Sequence, residues 1–138
     1  MNKLKIYNEV KGFRVPRTRL GRAFDSFLKK SGAGVGEVSL IFVGEGKVKE
    51  LNEKWYGGKG ATDVLTFDYE GGVGDVAGEI YVCVKIAEKN ASAEGKGVMD
   101  EVLWLFVHGL LHLAGHTHEN DRKYDDMMKR AGEILGRI

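Results

Sequence analysis

All four histidines of the chain fall in one short stretch, His108-Gly-Leu-Leu-His112-Leu-Ala-Gly115-His116-Thr-His118. His108 and His112 are four residues apart in a strongly apolar, helix-like segment. They therefore project from one face, a turn apart, where two imidazoles can chelate one ion. Gly115 permits a left-handed turn that other residues resist, and such a turn can swing His118 back toward the same ion. The spacing H-x-x-x-H-x-x-G-x-x-H is the ligand spacing of a large group of zinc peptidases. Three imidazoles suit one zinc ion and leave a fourth position for water, whereas a closed structural site normally has four protein ligands. Zinc lowers the pKa of its water to roughly 7, which makes hydroxide available at neutral pH. The expectation is a zinc site of His108, His112 and His118, with His116 a flanking residue.

The residue after the first histidine narrows the chemistry. In H-E-x-x-H peptidases it is glutamate, the general base; here it is Gly109. A peptidase would lack its usual proton acceptor, so cleavage of a phosphodiester, with the metal neutralising charge on phosphate, fits better. The spacing assigns no general acid or base. Glu119, Asp121 and Asp125 are near enough in sequence to support the imidazoles from behind.

Stepping outward, 138 residues suit one domain, 1–138, long enough to bury its own core. Apolar residues at 43% and charged residues at 30% give a soluble globular balance. The net charge of +1 names no partner, but its distribution is uneven. Residues 1–30 hold nine Lys/Arg against Glu9 and Asp25, a local +7, so the remainder is −6. That asymmetry reads either as a nucleic-acid surface or as the solvated face of a first helix. The single cysteine, Cys83, can form no internal disulfide and reads as a buried core residue. No apolar stretch near the N-terminus is long enough for a signal peptide, and Val102 to Val107 is too short to cross a bilayer. These features point to the cytoplasm and away from membranes.

The patterning predicts strands at Lys3 to Asn8, Glu37 to Val43, Asp63 to Tyr69 and Glu79 to Val84. It predicts a helix after Pro16, capped by Thr18 and stopped at Gly32, with Leu20, Ala23, Phe24, Phe27 and Leu28 on one face. Val48, Leu51 and Trp55 suggest a short helix ended by Gly57-Gly58. A helix near Lys85 to Ala93 follows. The next, from Glu101 to about Ala114 with Asp100 as its cap, is apolar nearly all round and belongs in the middle of the core. A last helix from about Asn120 carries Tyr124, Met127, Met128, Ala131, Leu135 and Ile138 on one stripe, its methionines packing residues. The expected class is α+β: a small sheet of about four strands covered by helices, with a central buried helix carrying the metal motif.

The sequence resembles the YbeY family of bacterial endoribonucleases, which act in ribosomal RNA maturation. The family motif H-G-x-L-H-L-x-G-[YF]-D-H is met here by His108, Gly109, Leu111, His112, Leu113, Gly115 and His118, with His116 and Thr117 replacing Tyr/Phe and Asp. A second pattern, L-N-x-x-[YW]-R-G-x-x-x-P-T-[ND]-V-L-S-F, is met by Leu51, Asn52, Trp55, Gly57, Thr62, Asp63, Val64, Leu65 and Phe67. Gly78-Glu79-Ile80 match a third. The resemblance runs from about Val38 to the end. It implies a single-strand-selective endoribonuclease with one zinc ion on His108, His112 and His118, no small-molecule cofactor, and ribosomal RNA or the ribosome as partner. The family's arginine, thought to act on RNA phosphate, falls at Tyr56, and its proline at Ala61. Tyr56 cannot make a forked cationic contact; Lys59, Arg14, Arg17 and Arg22 are the candidates to supply the charge. Two alternatives remain: a non-catalytic ribosome-assembly or RNA-binding factor with a structural zinc, and a metallopeptidase-like hydrolase.

Overall fold

Apolar residues in the four strands alternate or run continuously, and they assemble one mixed sheet. The computed structural model describes residues 3–31, 34–69, 75–115 and 121–136. Strands β1 (Leu4–Asn8), β2 (Val35–Val43), β3 (Val64–Asp68) and β4 (Val76–Cys83) lie in the order β1-β2-β4-β3. β1 pairs parallel with β2, β2 parallel with β4, and β3 antiparallel with β4. Parallel neighbours need a crossover, and α1 (Arg17–Ser31) supplies it between β1 and β2.

The strand period of two sorts side chains into two cores. Leu40 and Phe42 of β2 and Ile80 and Val82 of β4 face the helices, packing with Phe24 and Phe27 of α1. Phe106 and Leu110 of α4 (Val98–Leu113) and Met127 of α5 (Asp121–Leu135) complete that cluster. On the opposite face Ile41, Val43, Leu65 and Cys83 form a smaller core under Val48 of α2 (Glu45–Leu51). Cys83 is buried there, as expected, and burial pushes its thiol pKa up. α3 (Val84–Glu94) runs directly from β4. The four-stranded α+β architecture is the expected one. No described helix is long and apolar enough to cross a membrane.

The helix ends differ from expectation for physical reasons. Thr18 is not the cap of α1 but lies in its first turn, where the Pro16 carbonyl already accepts the Leu20 N–H at 3.0 Å. Asp100 is not the cap of α4: the helix starts at Val98 behind Gly97. Asp100 instead sits in the first turn, where a negative charge is favourable, and binds Arg19 at 2.9 Å. The stripe of α5 is Met127, Ala131 and Ile134, with Leu135 partly buried. Met128 lies off that stripe at the wall of a cleft. Gly32, Ile138 and the side chain of Tyr124 lie outside the described residues.

The largest departure follows α2. Residues Asn52–Tyr56 form a single π-helical turn, in which the Gly57 N–H donates to the Asn52 carbonyl. Gly57 then takes a left-handed φ of 67° and ends the helix. The wider turn rotates everything after Leu51 relative to an α-helix. Val48 stays buried, but Trp55, expected on the same stripe, is turned into solvent with 63% of its surface exposed.

Candidate functional site

α4 is apolar on almost every side, and its polar residues share the remaining strip. Glu101, Trp104, His108 and His112 follow each other at intervals of three or four, so they line one edge of the helix. His108 and His112 are half-buried between fully buried neighbours, and both open on the same cleft of about 270 Å³. Trp104 lies edge-on to His108, with ring centroids 4.5 Å apart at 83°. It walls the imidazole on the side away from His112.

Gly109 points elsewhere. A Cβ built there would stand 2.7 Å from Cγ2 of Ile80, a fully buried branched side chain of β4. The glycine is thus the contact that lets α4 lie close on the sheet. Position 109 faces the core and not the cleft, so its lack of a carboxylate reflects helix–sheet packing.

The facing wall comes from other parts of the chain. Asp63, at the entrance to β3, is fixed twice: its carbonyl accepts the Cys83 N–H at 2.9 Å, and its carboxylate accepts Asn90 Nδ2 at 3.2 Å. Asn90 and Glu94 lie one turn apart on α3 and line the same cleft. At its end Glu101, 4% exposed, is paired with Lys96 at 2.7 Å. Burial acts against the Lys96 charge, but the hydrogen bond and attraction of Glu101, followed by Glu94, overcome it and hold the pKa above its ordinary value. The Lys96 ammonium also lies 5.8 Å from the Trp104 ring centroid. The cleft therefore brings two imidazoles together with a fixed carboxylate and an amide.

The motif-based expectations divide. His108 and His112 are brought together on one cleft. Gly115 has the left-handed backbone expected of it, φ 93°, immediately after α4. His116, His118 and Glu119 lie outside the described residues, as does the side chain of Asp121; Asp125 is exposed on α5. Tyr56 is exposed, donates its hydroxyl to the Thr66 carbonyl and meets Phe67 edge-on at 5.5 Å. It does not line the cleft, and neither do Lys59, Arg14, Arg17 or Arg22. Arg17 lies instead in a groove between β1 and α1, with Asp25. Asn90, Glu94 and Trp104 were missed as site residues, although Asp63 already stood in the second motif.

A histidine-bearing helix packed tightly on a mixed four-stranded sheet, with the polar cleft at its edge, defines an α+β class that can be compared with known proteins. The family model described as Endoribonuclease YbeY matches residues 5–138. Endoribonuclease YbeY of Thermotoga petrophila is 42% identical over 136 residues, covering 98% of this chain and 88% of the relative. That of Thermus thermophilus is 35% identical over 133 residues, covering 91% and 96%. Among solved structures, the solution structure of TM1509 from Thermotoga maritima superposes with a TM-score of 0.66 at 34% identity, covering 97% of this chain and 90% of that one. The chain belongs to the YbeY family.

Proposed function

We propose that this protein is a cytoplasmic, zinc-dependent endoribonuclease that cuts single-stranded regions of ribosomal RNA precursors. The observation that carries the reading is the pair His108 and His112, a helical turn apart and open to one polar cleft, in a chain whose relatives are named endoribonucleases. The donor chemistry fits zinc: imidazole nitrogens suit it, and two from one helix face can share one ion. His118 is the proposed third ligand, three residues beyond the left-handed Gly115. When bound, the ion would supply a Lewis acid to a phosphate ester.

The chain's own groups have separate tasks in this reading. Trp104 keeps the His108 ring in place. Asp63, held by Asn90, presents a fixed hydrogen-bond acceptor across the cleft. The basic first segment meets the RNA backbone: Lys11, Arg14, Arg17 and Arg22 are at least partly exposed. Lys5, Arg19 and Lys30 are partly committed to Glu37, Asp100 and Glu133. Backbone binding of this kind weakens steeply with salt. A peptidase reading has no support at position 109, which is filled by helix–sheet packing.

The test combines elemental analysis with cleavage of a structured rRNA precursor. The purified protein should hold one zinc per chain. His112→Ala and His118→Ala should each lose the metal and cleavage while keeping the fold by circular dichroism. Retained cleavage by both variants, or a wild-type protein that cuts no precursor at any salt, would overturn the reading. Unfolding of both variants, with no cleavage by the wild type, would mark a structural zinc in a non-catalytic RNA-binding factor.

A further inference from the structure

We propose that the Trp55 ring is a stacking platform for an unpaired base of the RNA. The inference rests on the RNA reading above. Trp55 is the most exposed large apolar side chain among the described residues, at 63%. Solvation of an indole to that degree brings no stability to the fold. Its exposure is imposed by the π-helical turn Asn52–Tyr56, and such turns are frequent at functional sites.

The ledge that carries it is fixed. Asn52 Nδ2 donates to the Gly60 carbonyl at 3.1 Å, and the Gly60 N–H donates to Glu53 at 3.3 Å. The next residue of the turn, Tyr56, is tied to β3 through Thr66 and Phe67. A rigid aromatic surface loses little entropy when a ligand stacks on it. The turn is tied to the strand that Asp63 of the cleft leads into. Thr66 is three residues along β3 from Asp63, which is about 10 Å at the rise of a strand.

The occupant follows from charge and shape. The Lys54 ammonium lies 5.2 Å from the Trp55 ring centroid, and Lys47, Lys49 and Lys59 are exposed on the same stretch with Glu45, Glu50 and Glu53, a net +1 over residues 45–59. An exposed aromatic plane with an ammonium beside it suits an unpaired base next to an anionic backbone, the usual arrangement for single-stranded nucleic acid. Stacking tolerates any base because every base has a π-face, so the platform would add affinity and position with little sequence preference.

The test uses the protein as purified and a short single-stranded 2′-O-methyl oligoribonucleotide at low salt, with uncut oligonucleotide verified afterwards, which separates binding from cleavage. The oligonucleotide should quench indole emission in the wild type, and Trp55→Phe should remove the Trp55 share of that quenching and leave only what Trp104 in the cleft contributes. Trp55→Phe should keep most of the affinity measured by anisotropy, and Trp55→Ala should lose about tenfold. Thermal melting should be alike in all three. Equal affinity of Trp55→Ala and wild type would overturn the platform, would leave the RNA reading intact, and would return Trp55 to a contact with protein. A wild type that binds no RNA overturns both.

Discussion

The packing of α4 on β4 and the π-helical turn after α2 treat their glycines and aromatics in opposite ways. At the α4–β4 contact every side chain is fitted, and Gly109 is there because even one carbon would run into Ile80. At the π-helical turn Trp55 stands mostly in solvent with the Lys54 ammonium over its ring, and Gly57 and Gly60 adopt left-handed backbones with open space around them. The first region holds the imidazoles in a fixed relation to the sheet. The second is held by bonds from the Asn52, Glu53 and Tyr56 side chains to backbone groups and leaves the Trp55 ring mostly in solvent. Rigidity therefore has two sources in this molecule, and substitutions should separate them.

The deepest cut into the packed region is Phe106→Ala. Phe106 is fully buried, and the cavity should lower unfolding free energy by about 4 kcal/mol in a urea titration. Gly109→Val comes next, at about 3 kcal/mol, because added carbons must displace α4 from β4. In an Ile80→Ala background the cost of Gly109→Val should shrink, and an unchanged cost would break the contact assigned to it. Alkaline pH should act more gently. The Cys83 thiol, with a raised pKa in the folded state, holds its proton longer than in the unfolded chain. Its contribution is fully present below the ordinary thiol value of 9.0 and is lost as pH rises through the higher folded value. Stability should therefore decline above about pH 9, and Cys83→Ala should flatten that part of the profile. The smallest effect belongs to the open region: Trp55→Ala should change stability by no more than about 0.5 kcal/mol.

Regular periodicity made much of this molecule readable. The intervals of three and four along α4 placed His108 and His112 on one face, and the alternation in β2 and β4 gave the sheet and buried Cys83. What escaped had no periodic trace. Trp55 stands seven residues from Val48, an interval that reads as one helical stripe until a π-helical turn breaks it. Asp63 and Asn90 are 27 residues apart and meet only through β3, β4 and α3. Gly109 looked like a missing base, yet its reason lies in Ile80, on a strand more than two dozen residues earlier. Caps failed for a similar reason: Thr18 and Asp100 have capping side chains, but a proline in one case and a glycine in the other had already opened the helix.

The sealed position of Cys83 gives the thinner face of the sheet a built-in clock. A thiol-reactive probe added to the native protein can reach the sulfur only when α2 lifts away or the whole chain unfolds. Because the chain has no second cysteine, the labelling rate is a single-site record of that opening. Measured across denaturant, it would tell whether α2 detaches as a local flap or only together with the main core beneath α4.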